Sequence, residues 1–277
     1  MTVVLGLLAA LAVGTSDFLG GHTSRRADST VVTAGSNLIG FVLAGAVALI
    51  VGGEINGADV AWGVVGGASV SFGLVALYAG YARSRVSIAA PIAGVGAAAL
   101  PVIVGSIAGD DNLSGRAASG VALGLVAIAL VSINSSDQQG SVGASMLYGL
   151  GGAVGIGGFF LCLARTSEES GLWPIVTARA SGSVVLVLTL VATGTALRID
   201  RYIALPLVGI AALITAGNTC FLFATRLGST SVAAVVTSLF PAVTVFWAWL
   251  VFRERLRLVQ MAGLGIALVA VGLIASG

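Results

Sequence analysis

S-V-A-A-V-V-T-S-L-F-P-A-V-T-V-F-W-A-W-L-V-F-R-E-R-L-R runs from Ser231 to Arg257. A long uncharged run stops abruptly at Arg253, Glu254, Arg255 and Arg257. At about 1.5 Å of rise per residue, a helix of this length crosses the ~30 Å hydrocarbon core of a bilayer. Pro241 lies inside the run, where it removes a backbone donor and bends a helix. Trp247 and Trp249 approach the charged end, which suits amphipathic rings at the headgroup level. A helix buried in a large soluble protein would read the same way, so the rest of the chain has to decide.

Of 277 residues, 57% are hydrophobic and only 9% are charged. A soluble domain carries about 25% charged residues, so this chain lacks the charge to cover a water-facing surface. Hydrophobic runs recur along its whole length, which makes it an integral membrane protein. The net charge is +2, and every one of the 13 basic residues is an arginine. No basic block is long enough to suggest nucleic-acid binding. Cys162 and Cys220 both fall in hydrophobic runs and read as small packing residues, not as a metal site or a disulfide framework. The start, M-T-V-V-L-G-L-L, lacks the positive region of a secretory signal and reads as the first span.

Ten hydrophobic segments can be marked: Thr2–Gly21, Thr30–Val51, Val60–Ala82, Val86–Ala108, Arg116–Ile133, Gly143–Ala164, Leu172–Gly194, Ile203–Thr225, Thr230–Phe252 and Leu258–Ala275. The connections are short and hold nearly all the charge, so function must reside in the helices or their turns. Glycine is abundant, at 40 residues, and small residues let membrane helices approach closely. Small-xxx-small pairs at Gly63–Gly67, Gly120–Gly124 and Gly151–Gly155 read as packing contacts.

The two halves of the chain echo each other. A-V-G-T-S-D-F at Ala12–Phe18 matches A-V-G-I-G-G-F at Ala153–Phe159. V-S-I-A-A at Val86–Ala90 matches T-S-V-A-A at Thr230–Ala234, and D-N-L from Asp111 matches E-R-L from Glu254. A glycine, Gly120 or Gly263, follows each acid at the same spacing. The offsets nearly agree, and the order is kept. Five spans per half is an odd number, so the second half enters the membrane reversed. The expected fold is an all-α integral membrane protein of ten transmembrane helices, built as two inverted five-helix repeats over residues 1–135 and 143–277. Secondary transporters use this architecture, with substrate bound near the midplane.

On these residues the sequence resembles the EamA-type branch of the drug/metabolite transporter superfamily. The best-matching motif is the end of each repeat, with Ser231, Pro241, Glu254, Leu256 and Gly263 in the second and Pro101, Asp111, Leu113 and Gly120 in the first. A small-polar-aromatic cluster in the family's first helix is matched by Gly14, Thr15, Ser16 and Phe18. The resemblance implies ten spans in two repeats, and transport of small molecules in a class that includes amino acids, nucleotides, sugars and drugs.

Asp17 is the most informative single residue. An ionisable side chain late in an apolar span is costly and ordinarily faces a cavity or a partner. It is a candidate for substrate binding and for proton coupling, where the family often has a neutral polar residue. Arg179, in the seventh segment, is a candidate anion contact, and snorkelling to the interface is its bland alternative. Counted from the same membrane face, Asp17 lies deeper by roughly 12 Å at 1.5 Å per residue. That depth disfavours a direct pair, and a substrate carrying both charges would bridge part of it. Asn37 reaches nearly the depth of Asp17 and is a candidate partner for it or for the substrate. Asn218, near mid-membrane, needs hydrogen-bond partners of some kind. Tyr78 lines a cavity or anchors at the interface. Ser16 is a further substrate contact, while Thr15 and Ser36 are weaker candidates that can bond back to their own helices. Glu254 reads as a structural cap and His22 as solvated.

Two classes find no supporting motif in the chain. No G-x-x-x-x-G-K-[ST] loop supports ATP-driven pumping, and no H-E-x-x-H or G-x-S-x-G motif supports intramembrane hydrolysis. No cofactor or metal is expected. The expected activity is secondary transport of a small polar or amphipathic metabolite across the cytoplasmic membrane, with export the expected direction. The partners are that substrate, the lipid bilayer and, as the candidate coupling ion, protons. The rival is a structural or regulatory membrane subunit, which would not need Asp17, Asn37 and Arg179 on one cavity. Orientation has two opposed indicators. Most arginines lie in the odd-numbered loops, which would place those loops in the cytoplasm and both termini outside. The resemblance implies both termini inside.

Overall fold

In the computed structural model, described residues are 1–108, 115–132, 141–163, 165–227, 236–237, 239–253 and 258–275. They include ten α-helices. α1 is Thr2–Thr23, α2 Ser29–Val51, α3 Gly57–Arg83, α4 Val86–Ala108 and α5 Gly115–Ser132. α6 is Val142–Leu163, α7 Trp173–Ala192, α8 Arg201–Arg226, α9 Phe240–Phe252 and α10 Leu258–Ala275. No strand occurs among the described residues. Each of the ten hydrophobic segments holds one of these helices. Six (α1, α2, α3, α6, α7 and α8) are long and apolar enough to cross a membrane, and the other four contain shorter apolar helices. The protein is a multi-pass membrane protein.

Local chemistry sets the helix ends. Asp28 caps α2 by accepting from the Thr30 amide at 2.8 Å, and Asn56 caps α3 by accepting from the Ala58 amide at 2.9 Å. Asp200 accepts from the amides of both Tyr202 and Ile203 at the start of α8. These side chains satisfy N–H groups that a helix leaves without internal partners. α2 ends at Gly52, whose φ of 79° no β-branched residue adopts cheaply. Pro241 stands in the first turn of α9, where a missing N–H is tolerated. It therefore starts the described helix and does not interrupt it. Of the repeat-end motifs, Ser231, Glu254, Leu256, Asp111 and Leu113 lie outside the described residues.

The surface and the interior exchange the roles they have in water. Leu147, Leu205 and Val191 are 71%, 77% and 73% exposed, as lipid-facing side chains should be. The helix seams are lined instead by small residues. Gly73 of α3 lies against the Gly155 backbone of α6, Gly66 against Cys162 and Phe159, and Gly80 against Tyr148. Gly149, Gly152 and Gly157 seat α6 on α4, and Gly63 and Gly67 seat α3 on α7. Close backbone approach increases dispersion contact where lipid offers no hydrophobic drive.

The most extensive contacts run between the first five helices and the last five. α3 packs on α6 and α7, α8 packs on α1 and α2, α4 packs on α6, and α9 packs on α1. α5 meets α10, α2 meets α7, and α4 meets α9. The direction of each pair follows from its contacts. Along α3 and α6 they run Gly66 to Cys162, Gly73 to Gly155 and Gly80 to Tyr148, so these helices are antiparallel. Along α1 and α8 they run Gly217 to Ala9 and Val13, Ser16 to Ile210 and Gly209 to Leu19, again antiparallel. α4 with α6, and α9 with α1, run parallel.

Candidate functional site

α1 supplies the centre of the site. Ser16, Asp17 and Phe18 are buried, at 0%, 3% and 5% exposure. α9 holds this part of α1 in place. The Thr244 hydroxyl donates to the Gly14 carbonyl at 3.1 Å, and the Trp247 indole N–H donates to Thr15 Oγ1 at 3.0 Å. Phe18 stacks against both Trp247 and His22, with ring centroids 6.2 and 5.9 Å apart. α8 holds the other face, where the Ser16 hydroxyl donates to the Ile210 carbonyl at 3.2 Å. Trp247 therefore turns inward and does not sit at the headgroup level. Trp249, two residues on, is 52% exposed.

α3 brings two tyrosines to Asp17. Tyr78 and Tyr81 are 2% and 1% exposed. The Tyr78 ring lies over Gly20 and Tyr81 against Gly21, so the glycines of α1 make room for the phenols. Tyr78 is within electrostatic reach of both Asp17 and Arg179, and it faces the Ser16 side chain. Tyr81 is within reach of Asp17 as well. Tyr78 thus belongs to the interior and is not an interfacial anchor. Among the described residues, Asp17 makes no hydrogen bond or ion pair.

Arg179 is half-buried on α7 and does not leave the interior by snorkelling. One guanidinium nitrogen donates to Asn37 Oδ1 on α2 at 2.7 Å. The Asn37 amide in turn donates to the Ser71 hydroxyl on α3 at 3.2 Å. Asn37 and Ser71 are 2% and 0% exposed. Of the two partners considered for Asn37, Asp17 is not bonded to it among the described residues, where the Asn37 amide bonds Arg179 and Ser71. No ion pair joins Asp17 and Arg179 among the described residues. Glycines again make the space, because Gly182 lies against Ser71 and Asn37, and Gly40 lies under the guanidinium.

The remaining candidates separate. Asn218 is partly exposed on α8 and makes no side-chain hydrogen bond among the described residues, so it is not part of the Asn37 network. Ser36 bonds back to the Thr33 carbonyl at 3.1 Å within its own helix. Sequence reasoning missed Ser71, one of many small polar residues in the spans. It also missed the ties of α9 to Gly14 and Thr15. Glu254 lies outside the described residues.

Among the described residues the arrangement offers an unpaired carboxyl group and a partly satisfied guanidinium, with buried phenols within electrostatic reach of the first. Among the described residues no cluster of metal-ligating side chains occurs.

No curated protein matches the chain. Among solved structures, one crystal structure of a protein covers 98% of this chain and 95% of its own, with a TM-score of 0.64 and 14% identity. That likeness concerns the fold. Residues 143–276 match the model of the EamA-like transporter family. This is a family of membrane transporters, which implies a small-molecule substrate and a bilayer around the protein. Over its second half, the chain is thus similar to the EamA-like transporter family, which belongs to the drug/metabolite transporter superfamily.

Proposed function

We propose that the protein is a secondary transporter that moves a small polar or amphipathic metabolite by alternating access, exporting it across the cytoplasmic membrane. Residues 1–135 and 143–277 act as two inverted five-helix repeats forming one transport unit. Ser16, Asp17, Asn37, Tyr78, Arg179 and Asn218 face the transported molecule at some stage of the cycle. Asp17 also takes up the coupling proton.

The observation that carries this reading is the state of the two charges. Among the described residues Asp17 is buried without a partner and Arg179 is only partly satisfied, although an isolated charge within a membrane span costs several kcal/mol. A structural subunit gains nothing from holding them there. A transporter needs groups whose partners arrive and leave.

The helix pairing supports the repeat. Exchanging each helix with the one five places along converts α3–α6 into α8–α1, α4–α6 into α9–α1, and α3–α7 into α8–α2. The pairs α2–α7, α4–α9 and α5–α10 map onto themselves. Antiparallel pairs map onto antiparallel ones and parallel onto parallel, as a two-fold axis in the membrane plane requires. Rocking about such an axis would expose the site to each face in turn.

A growth panel in an overexpressing host tests the reading. Cells would be challenged with amino acids and their analogues, nucleosides, sugar analogues and cationic drugs, comparing wild type with Asp17→Asn. Resistance to one compound class, lost in the variant, is the expected result. Sensitisation would reverse the direction to uptake. Resistance retained by the variant would remove Asp17 from the mechanism, and no response to any compound would count against transport.

A further inference from the structure

The strongest unexplained feature is the unequal treatment of the two charges. Arg179 is held by Asn37, and Asn37 is braced by Ser71, across three helices. Only one guanidinium donor is used in this way. A guanidinium carries a fork of N–H groups and no acceptor, and its remaining donors find no acceptor among the described residues. Asn37 is therefore too small a partner for the charge, since an amide oxygen neutralises nothing. It fixes the direction of the fork and leaves the fork open. No acidic side chain is spent on Arg179, although Asp17 stands close enough to act on the same tyrosine.

Asn37 and Arg179 are also 142 positions apart, close to the offset at which the two halves of the sequence echo each other. They sit at matching places on α2 and α7, a pair that the exchange of halves maps onto itself. A contact on that axis moves least when the halves rock. A ligand held there keeps its anchor whichever face is open.

Resting on the transporter reading, we propose that Arg179 is a carboxylate subsite, in which the unused guanidinium N–H groups bind a carboxylate of the transported molecule while Asn37 and Ser71 position the fork. The planar fork matches a carboxylate with two parallel hydrogen bonds. A single guanidinium suits a monoanion. A phosphate dianion would leave one charge uncompensated.

The test uses the purified full chain in detergent and ligands that share one skeleton. Leucine, 4-methylpentanoate, leucinamide and 3-methylbutylamine differ in which charged groups they keep, and matching sets on the alanine and phenylalanine skeletons vary the size. Binding is read from the rise in unfolding temperature with ligand concentration. Carboxylate-bearing members should stabilise the wild type at concentrations at least about tenfold below their amide or amine counterparts, as charge-assisted bidentate pairing requires. Arg179→Gln should abolish that preference, and Arg179→Lys should retain part of it. Asn37→Ala should weaken the carboxylate members alone, whereas a merely structural role would lower the ligand-free unfolding temperature and shift all members together.

A carboxylate response unchanged in Arg179→Gln would overturn the subsite, as would equal responses to amide and carboxylate. Stabilisation by amines alone would also overturn it while leaving the transporter reading intact. Should no member of any set stabilise the protein, the subsite is rejected. A growth panel that then gives a response keeps the transporter reading, and a silent one removes both.

Discussion

Asp59, in the first turn of α3, accepts hydrogen bonds from the hydroxyls of Ser167 and Ser170, 108 and 111 positions further along the chain. The Ser167 hydroxyl stands at 2.6 Å and the Ser167 amide at 3.2 Å from the carboxylate. The Glu54 amide adds a bond to the Glu169 carbonyl at 2.9 Å. Gly53 lies against the Ser170 carbonyl with a φ of 132°, so no larger residue fits there without strain. Together these bonds tie the α6–α7 connection to the start of α3. At the start of α8, by contrast, Asp200 caps its own helix.

Removing that tie should free the connection. In an Asp59→Ala background, a cysteine placed at Glu168 or Glu169 should react several-fold faster with a membrane-impermeant maleimide than in the parent. Asp59→Asn should give an intermediate rate, since an amide keeps one acceptor. Equal rates in all three backgrounds would show that the carboxylate does not hold the loop.

The seam between α3 and α6 has no room for side chains. A Cβ built on Gly73 would stand 2.8 Å from the Gly155 Cα. Overpacking of this kind costs about 1–3 kcal/mol. Gly73→Val and Gly155→Val should both lower the unfolding temperature in detergent, whereas Gly57→Val, with nothing within 4 Å, should not. Unchanged thermal unfolding of the first two would refute the seam.

Tyr78 should separate shape from chemistry. Tyr78→Phe keeps the ring over Gly20 and removes the hydroxyl that faces Ser16. The protein should remain folded, with transport weakened through KM more than through maximal rate. Gly20→Val should displace the ring and lower the yield of folded protein. A Tyr78→Phe variant with wild-type transport would exclude the phenol from the site.

The two cysteines differ in reach. Cys162 is 8% exposed and packs against Gly66, while Cys220 is less buried. A membrane-permeant maleimide should modify Cys220 first, and mass spectrometry of the partly labelled chain reads the order. Preferential labelling of Cys162 would contradict the α3–α6 packing.

Single cysteines replacing Arg198 and Glu168 should be labelled by an impermeant reagent from opposite faces of the membrane. That experiment also fixes which of the two opposed orientations holds, since the arginine-rich loops must label from inside if the charge rule governs.

The sequence was most legible where the physics is one-dimensional. Uninterrupted apolar runs locate helices, and the structure has a helix in every one. Asp17, Arg179 and Asn37 were legible because an ionised or amide group stands out in such a run. Which partner each takes depends on helix pairing, and that is not written in any local window. Asn37 was matched to Asp17 by depth alone, but α7 and α3 present Arg179 and Ser71 to it. Trp247 and Trp249 looked alike in sequence. Being two residues apart, they point to nearly opposite sides of a helix, and one found Thr15 while the other stayed outside. Asp59 escaped notice because acids at a helix start are common, and Ser167 and Ser170 are remote in sequence.

The interleaving of α1–α5 with α6–α10 also bears on how the protein is made. When the fifth helix has entered the bilayer, its principal packing partner, α10, has not yet been synthesised, and neither have the partners of α1 and α3. Gly63, Gly67 and Gly73 then line seams that do not yet exist. The first five helices must wait in lipid with only their lesser contacts, such as α1 with α3 and α4 with α5, and their short connections to hold them. Assembly is therefore a late event, and quality control at the membrane meets a half-made chain with its small-residue faces open. Two chains cut between the halves and produced together should be able to find each other, and either one alone should be cleared.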